Sequence, residues 1–192
     1  MPIVGTVSSL SSRPLGGFGG GLAGGASGGS AEMAISKSGG GNAQQLDNGD
    51  VLTVTVTTEG IADGTTLYYV IVPVNGTVVA SDFTSNSLTG TFTVTNNTGS
   101  FTLTVASDSP EWTIETFVVQ VRQNSVTGTQ IGTTTNINIQ SASATIGTSS
   151  TNINEGSTVT FTINTTNIAN GTNLYCTING VSSNDFTFVY FF

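Results

Sequence analysis

This chain of 192 residues has no histidine, a single cysteine and only three basic residues. Without histidine it lacks the commonest general base and the commonest side-chain ligand of transition metals. The lone Cys176 excludes an intrachain disulfide. Its place in an apolar stretch, with no cationic neighbour to lower its pKa, predicts a buried structural thiol. We therefore expect a fold that depends on its hydrophobic core, and no enzymatic activity.

The scarcity of positive charge excludes two further classes of function. The bases are Arg13, Lys37 and Arg122, set against eleven acids for a net charge of −8. Three scattered cations cannot neutralise a run of phosphates or hold an anionic membrane surface, so we expect no nucleic-acid partner. No apolar run is long enough for a membrane-spanning helix, and the N-terminus does not resemble a secretory signal. A site outside a cell would then need another route, such as assembly into a virus particle.

We expect the surface of this protein to consist mainly of Thr, Ser, Asn and Gly, in place of the charged residues of an ordinary soluble domain. Only 7% of the residues are charged, against roughly 25% in an ordinary soluble domain. Threonine suits a pleated sheet because its branched Cβ packs well there and its hydroxyl tolerates water. Such neutral polar surfaces are typical of extracellular and virion β-proteins.

A stretch that occurs twice organises the rest of the chain. Gly49–Tyr68 and Gly156–Tyr175 both alternate apolar residues with threonine and end in Gly-Thr-x-Leu-Tyr. Alternation of this kind predicts half-buried strands, and the separation of the two copies matches the length of one immunoglobulin-sized sandwich. We predict a domain over residues 31–140 and an incomplete second repeat over residues 141–192.

Turn signals between the apolar runs predict seven or eight strands in the first domain and no helix. The turns are Asn75-Gly76, expected to make a hairpin with a returning strand at Thr77–Ala80, and Asn96–Gly99, expected to make a second hairpin. Pro73 lacks an N–H and should mark an edge or a bulge. The predicted strands are 31–37, 51–58, 66–74, 77–80, 91–95, 100–106, 112–122 and 129–139. The predicted fold is an all-β antiparallel immunoglobulin-like sandwich.

The chain before the first predicted strand, over residues 1–30, is interpreted as a glycine-rich arm. More than half of Leu15–Ser30 is glycine, which has the largest backbone entropy to lose and offers few side chains for a core. Two interpretations stay open: a disordered linker, or an arm that orders in a groove of a partner. The anchors of such an arm would be Ile3, Val4, Val7, Leu10, Phe18 and Leu22.

The second repeat carries the apolar strand pattern of the first but not all of its strands. Val159, Phe161 and Ile163 repeat the inward positions Leu52, Val54 and Val56. An unfinished sandwich exposes an apolar face and an open sheet edge. Three alternatives are pairing with another chain, packing on the first domain, and truncation. We favour closure by a partner or a neighbouring copy.

Several segments resemble Calx-β domains, the immunoglobulin-like sandwiches of exchangers, adhesins and phage proteins. They are Asn154-Glu155-Gly156, Ser81-Asp82-Phe83, Gly90–Val94 and Glu115–Arg122. The resemblance covers residues 31–140 and part of 144–192, and the Thr/Asn-rich repeats look like those of structural proteins of tailed phages, notably cyanophages.

This resemblance implies candidate calcium ligands, because Calx-β domains can bind Ca²⁺ through loop carboxylates. The candidates are Asp108, Glu111, Glu115 and Glu155. The first repeat has Asn48 where the second has Glu155, and the closing pair of aspartates near Ile139-Gln140 is absent. Because Ca²⁺ takes six to eight oxygens, this set is depleted, and we expect solvated loop acids and no cofactor.

The resemblance and the exclusions together predict a phage virion structural protein. It would dock on capsid, neck or tail proteins through its arm, self-associate, and display sandwiches for surface adhesion. The alternative is a bacterial cell-surface adhesin or matrix fragment with Calx-β repeats. A host-surface glycan is a further candidate partner, since Trp112, Tyr68 and Tyr69 could form a stacking platform, although a single Trp beside strand residues more often lies in the core or at its rim.

Overall fold

The computed structural model describes residues 28–107, 112–180 and 185, and the structural statements below concern these residues. Apart from one short 3-10 turn at Ala80–Asp82, the regular structure of this part is all strand. The strands are β1 (Ser30–Lys37), β2 (Gln45–Leu46), β3 (Val51–Glu59), β4 (Thr66–Asn75), β5 (Thr89–Thr93), β6 (Thr98–Thr104), β7 (Glu115–Arg122), β8 (Gln130–Thr133), β9 (Ile137–Ile139), β10 (Ser143–Thr148) and β11 (Phe161–Thr166).

Strands β1 to β9 form a two-sheet sandwich, which we call the first unit. One sheet has the order β1-β3-β6, and the other has the order β2-β9-β7-β4-β5 with β8 also paired to β7. The pairings are antiparallel except for the two-residue contact of β2 with β9, which is parallel. The predicted all-β antiparallel sandwich is confirmed. Strands β10 and β11 make a separate antiparallel pair, which we call the second-unit hairpin.

The core of the first unit lies between the two sheets and follows from the alternation in the sequence. Alternate residues of β3, namely Leu52, Val54 and Val56, are completely buried, as are Phe117 and other alternate residues of β7. The rings of Phe83 and Phe117 meet edge to face with centroids 5.5 Å apart. Each fully buried side chain of this kind stabilises the fold by about 1.5 to 3 kcal/mol. The predicted inward face of β3 is confirmed.

The hairpin predicted at Asn75-Gly76 is wrong. Gly76 does have a positive φ of 80°, but the residues after it form no returning strand. Instead Thr77 donates its backbone N–H to Oε1 of Glu115 at 2.9 Å, and the chain continues into the 3-10 turn. The Glu115 carboxylate, on a strand distant in sequence, therefore accepts a backbone N–H that a returning strand would have used for pairing.

The turn at Asn96-Asn97 forms as predicted, but it does not join two strands of one sheet. Both residues have positive φ, and Thr95 and Thr98 exchange two backbone hydrogen bonds across the turn. Strand β5 pairs with β4, however, while β6 pairs with β3, so this turn carries the chain from one sheet to the other. The prediction of a simple hairpin is corrected accordingly.

Several strand boundaries also differ from expectation. The single strand predicted at 129–139 is divided into β8 and β9, both paired with β7, and the strand predicted from residue 112 begins at Glu115. The prediction that Pro73 marks an edge or a bulge is confirmed in its second form, because the register of β4 against β7 shifts between Pro73 and Asn75.

The chain enters and leaves the first unit at opposite ends. At the entering end, Ser30 pairs with Glu59, and Gly29 lies against Ile61 in the loop that follows β3. At the leaving end, Ile139 pairs with Glu115, and Gln140 donates its N–H to the carbonyl of Leu46. The second-unit hairpin follows from this leaving end. None of the described residues belongs to a helix long and apolar enough to cross a membrane.

Candidate functional site: the joint between the two units

Asn167, directly after β11, connects the second-unit hairpin to the leaving end of the first unit. Its Nδ2 donates to Oδ1 of Asp47 at 2.9 Å, and lies 3.3 Å and 3.4 Å from the carbonyl oxygens of Ser141 and Gln140. Its own carbonyl accepts a hydrogen bond of 3.3 Å from Nδ2 of Asn48. We call this set of five residues the joint.

A small cleft of about 10 Å³ lies at the joint, with the buried carboxylates of Asp82 and Glu115 in its wall. Oδ2 of Asp82 accepts the N–H of Val79 at 2.6 Å, and Oε1 of Glu115 accepts the N–H of Thr77 at 2.9 Å. These two carboxylates thus hold the irregular segment that follows β4. Hydrogen bonds from the backbone are the usual way in which a buried carboxylate is stabilised.

The four candidate calcium ligands are not brought together among the residues that the structure describes. Asp108 and Glu111 lie outside those residues. The expectation of solvated loop acids is wrong for Glu115, which is 2% exposed at the start of β7, whereas Glu155 is exposed in the turn before β11. No group of three or more acidic or thiol side chains suited to a metal ion occurs within residues 28–107, 112–180 and 185.

The six anchors predicted in the N-terminal arm, Ile3, Val4, Val7, Leu10, Phe18 and Leu22, also lie outside the described residues. Nothing in the structure tests their role, so the docking arm stays a prediction. The division of the chain at residues 30 and 140 stays a prediction as well.

The aromatic residues considered as a sugar-stacking platform have different environments. Trp112 is 60% exposed, so of the two places expected for it, the core or its rim, the core is excluded. Tyr69 is buried and its ring is stacked on Phe101 with centroids 4.1 Å apart, which leaves neither face for a sugar. Burial also raises the pKa of the Tyr69 phenol above its ordinary value, because desolvation disfavours the charged phenolate.

The prediction that Cys176 is buried is wrong, since its side chain is exposed. Residues 172–180 repeat the sequence pattern of β4 but form no strand, and no second sheet packs on them in the described part. The neighbouring Tyr175 is 95% exposed for the same reason.

Both faces of the second-unit hairpin are exposed. Phe161 and Ile163 are 47% and 42% exposed, although Val54 and Val56, at the same positions of the first repeat, are completely buried. Ile146, which pairs with Ile163, is 59% exposed. The contacts that hold the hairpin in place are therefore those of the joint.

A second, wide depression of about 440 Å³ lies beside the end of β1 and the glycine loop that follows it. Its cation, Lys37, is already engaged, because Nζ contacts Oδ2 of Asp50 at 2.9 Å and the carbonyl of Gln45 at 3.1 Å. Gln44 similarly donates to Oγ1 of Thr135. The polar groups of this depression thus support the fold, and the joint is the more specific site.

Sequence reasoning missed Asn167 and Asp47 as functional residues, and it considered Asn48 only as a replaced acid. One signal could have found Asn167: in the alignment of the two repeats, it takes the place of Gly60. Both positions follow the end of a strand and both have positive φ, 71° for Gly60 and 55° for Asn167.

Comparison with known proteins gives no family for this chain. No family model matches it, and no curated protein is similar to it. Among solved structures, one match is a conjugative transposon lipoprotein from Bacteroides eggerthii, at 13% identity and a TM-score of 0.32, which covers 58% of this chain and 95% of the lipoprotein. At that TM-score the similarity supports no functional argument, and the site must be interpreted from its own geometry.

Proposed function

We propose that this chain is a virion structural protein of a tailed phage. It docks on capsid, neck or tail proteins by its N-terminal arm and displays β-sandwich units outward for surface adhesion. The observation that carries the proposal is the serial arrangement of the units: the chain enters the first unit at one end and leaves it at the other, where the joint attaches the next strands. Such an arrangement extends the chain away from its point of attachment.

The composition of the chain supports the same role. A surface of Thr, Asn and Ser with 7% charged residues makes contacts that depend little on ionic strength. Individually weak contacts gain avidity when many copies are displayed on one particle. Display of this kind needs a rigid body and an anchor, and it needs no catalytic group.

The arm is tested by comparing three forms of the protein for association with purified particles. They are the full chain, a chain without residues 1–30, and a chain in which Ile3, Val4, Val7, Leu10, Phe18 and Leu22 are replaced by serine. The serine variant keeps the length and glycine content of the arm but loses its apolar anchors. We expect both altered forms to lose association while residues 31–140 still melt cooperatively. Unchanged association of the serine variant would refute anchoring by the arm.

Electron microscopy with a gold-labelled antibody against the first unit identifies where the protein is located. Labelling of phage particles at a fixed place on the capsid, neck or tail supports the proposal. Labelling of bacterial cell surfaces in the absence of particles would instead support the alternative, a cell-surface adhesin, and would overturn the virion assignment.

A further inference from the structure

The two repeats turn the chain in the same way after equivalent strands. Gly60 follows β3 and Asn167 follows β11, and both have the positive φ that glycine and asparagine adopt more readily than other residues. Glycine alone satisfies this requirement in the first repeat. The carboxamide of Asn167 is therefore not needed for the turn, and its presence requires another reason.

The surroundings of the two turns are also equivalent. Ser30 pairs with Glu59, and Ser143 pairs with Thr166, so Gly29 and Ala142 occupy matching places before the first strand of each repeat. Gly60 lies near Gly29, while Asn167 reaches the carbonyls of Ser141 and Gln140. In both repeats the turn after the second strand packs on the segment that leads into the first.

Asn167 also makes hydrogen bonds to the unit that precedes its own repeat. Its Nδ2 donates to the carboxylate of Asp47, and its carbonyl accepts from Asn48, across 120 and 119 residues of sequence. A hydrogen bond to a charged group is worth more than one between neutral groups, because the acceptor is ionised. Gly60 has no side chain with which to make the first of these contacts.

We propose that Asp47 and Asn48, with the carbonyls of Gln140 and Ser141, form a docking surface for the turn of a following repeat. Asn167 is the positioning residue that fixes the second unit on the first. The partner of this surface is a repeat of this chain's own type that carries asparagine, and not glycine, at the turn. The first unit, with Gly60, cannot dock on such a surface in the same way, so the joint specifies the order of the units. This inference does not depend on the virion role.

The contribution of the joint can be measured through the stability of the second-unit hairpin. An isolated pair of strands is at best marginally stable in water. Strands β10 and β11 are exposed on both faces, so no buried apolar face compensates for this among the described residues. Loss of the Asn167 contacts should therefore raise the open population of the hairpin while the first unit stays folded.

The test is hydrogen exchange of the full chain with Asn167→Gly, which keeps the positive φ and removes only the carboxamide. We expect amides of β10 and β11 to exchange roughly tenfold faster, and those of β3 and β7 to be unchanged, since one hydrogen bond to a charged group is worth about that factor. The matched control is Asn124→Gly, an exposed asparagine with positive φ (69°) that follows β7 at the entering end. Equal exchange of the hairpin in the two variants would overturn the proposal.

A second measurement separates docking from a local effect on the turn. Asp47→Ala removes the acceptor without touching the hairpin, and it should accelerate exchange of β10 and β11 by a similar factor. The double variant Asp47→Ala with Asn167→Gly should exchange no faster than Asn167→Gly alone, because that substitution already removes the contact with Asp47. If the increases in exchange rate of the two single variants multiply in the double variant, the two residues act independently, and the proposal is overturned.

Discussion

At the scale of single residues, this fold uses short polar groups where charged ones are scarce. Asparagines with positive φ make the tight turns, as at Asn96 and Asn97, and buried carboxylates accept backbone N–H groups that have no strand partner. The hydrogen bond between Glu115 and Thr77 occurs where the sequence predicts a strand over residues 77–80. Side chains that bind the backbone in this way compete with regular structure.

Replacement of Glu115 by alanine should lower the free energy of unfolding by about 2 to 4 kcal/mol, because the N–H of Thr77 loses its acceptor at a site that is 2% exposed. Urea denaturation measures the change. Glu59→Ala, an exposed carboxylate at the end of β3, is the control and should change the value by less than about 0.5 kcal/mol. A tolerated Glu115→Ala variant would contradict the role assigned to this contact.

Tyr69 should make the stability of the protein sensitive to alkaline pH. The raised pKa of its phenol means that the unfolded chain releases the proton first, so the folded state binds more protons above the ordinary tyrosine pKa of about 10. The stability that the protonated Tyr69 phenol contributes to the folded state is therefore complete below about pH 10. It is lost as the pH rises through the higher pKa of the folded state.

Thermal melting at pH 8 and pH 11 tests this expectation. Tyr69→Phe should lose less stability between the two values than the wild type, while Tyr175→Phe, at a site that is 95% exposed, should behave as the wild type does. An alkaline loss of the same size in the Tyr69→Phe variant would contradict the assignment.

At the scale of elements, alternation in the sequence was sufficient to predict the approximate positions of β3, β4 and β7 and the inward face of β3. It was insufficient for the connections. Whether the strands on either side of Asn96-Asn97 share a sheet depends on the pairing of β6 with β3, which lies far earlier in the chain. The hairpin expected at Asn75-Gly76 does not form because Glu115 binds the N–H of Thr77, and Cys176 is exposed because residues 172–180 form no strand. Local patterns carry no information about such distant partners.

Equivalent positions of the two repeats should respond differently to truncation. Val54→Ala should lower the free energy of unfolding by roughly 2 kcal/mol, since it removes completely buried atoms and leaves a cavity. Phe161→Ala, at a site that is 47% exposed, should cost less than about 1 kcal/mol although a larger side chain is removed. Urea unfolding of both variants makes the comparison. A larger cost for Phe161→Ala would show that this face is covered in solution.

At the scale of the whole molecule, two units are held in series by a few polar contacts and by the chain that connects them. The contacts of Asn167 with Asp47 and Asn48 could not have been predicted from the sequence, because they join residues about 120 positions apart and depend on how the chain leaves β9. The expectation that nucleic acid is not a partner stays a prediction, made from the count of basic residues alone.

We expect calcium to have no effect on the stability of the whole protein. Because the candidate acids Glu115 and Glu155 lie in different environments, a chelator should change the melting temperature by less than about 1 °C. Calorimetry with excess chelator or excess Ca²⁺ makes the measurement, and magnesium serves as the control cation. A calcium-specific increase of several degrees would contradict this expectation and would direct attention to Asp108 and Glu111.

The opposite placement of the two chain ends in the first unit determines how it bears mechanical load. Tension applied along the chain pulls β1 lengthwise past β3, so the ladder from Ser30–Glu59 to Lys37–Leu52 is sheared as a whole and is not unzipped one bond at a time. Shearing requires many bonds to break together, which gives a high rupture force. Among the described residues, no second sheet packs on the exposed pair β10–β11 to resist extension. Under a pulling force this pair should therefore unfold before the first unit, so that an extensible segment is connected in series to a stiff one.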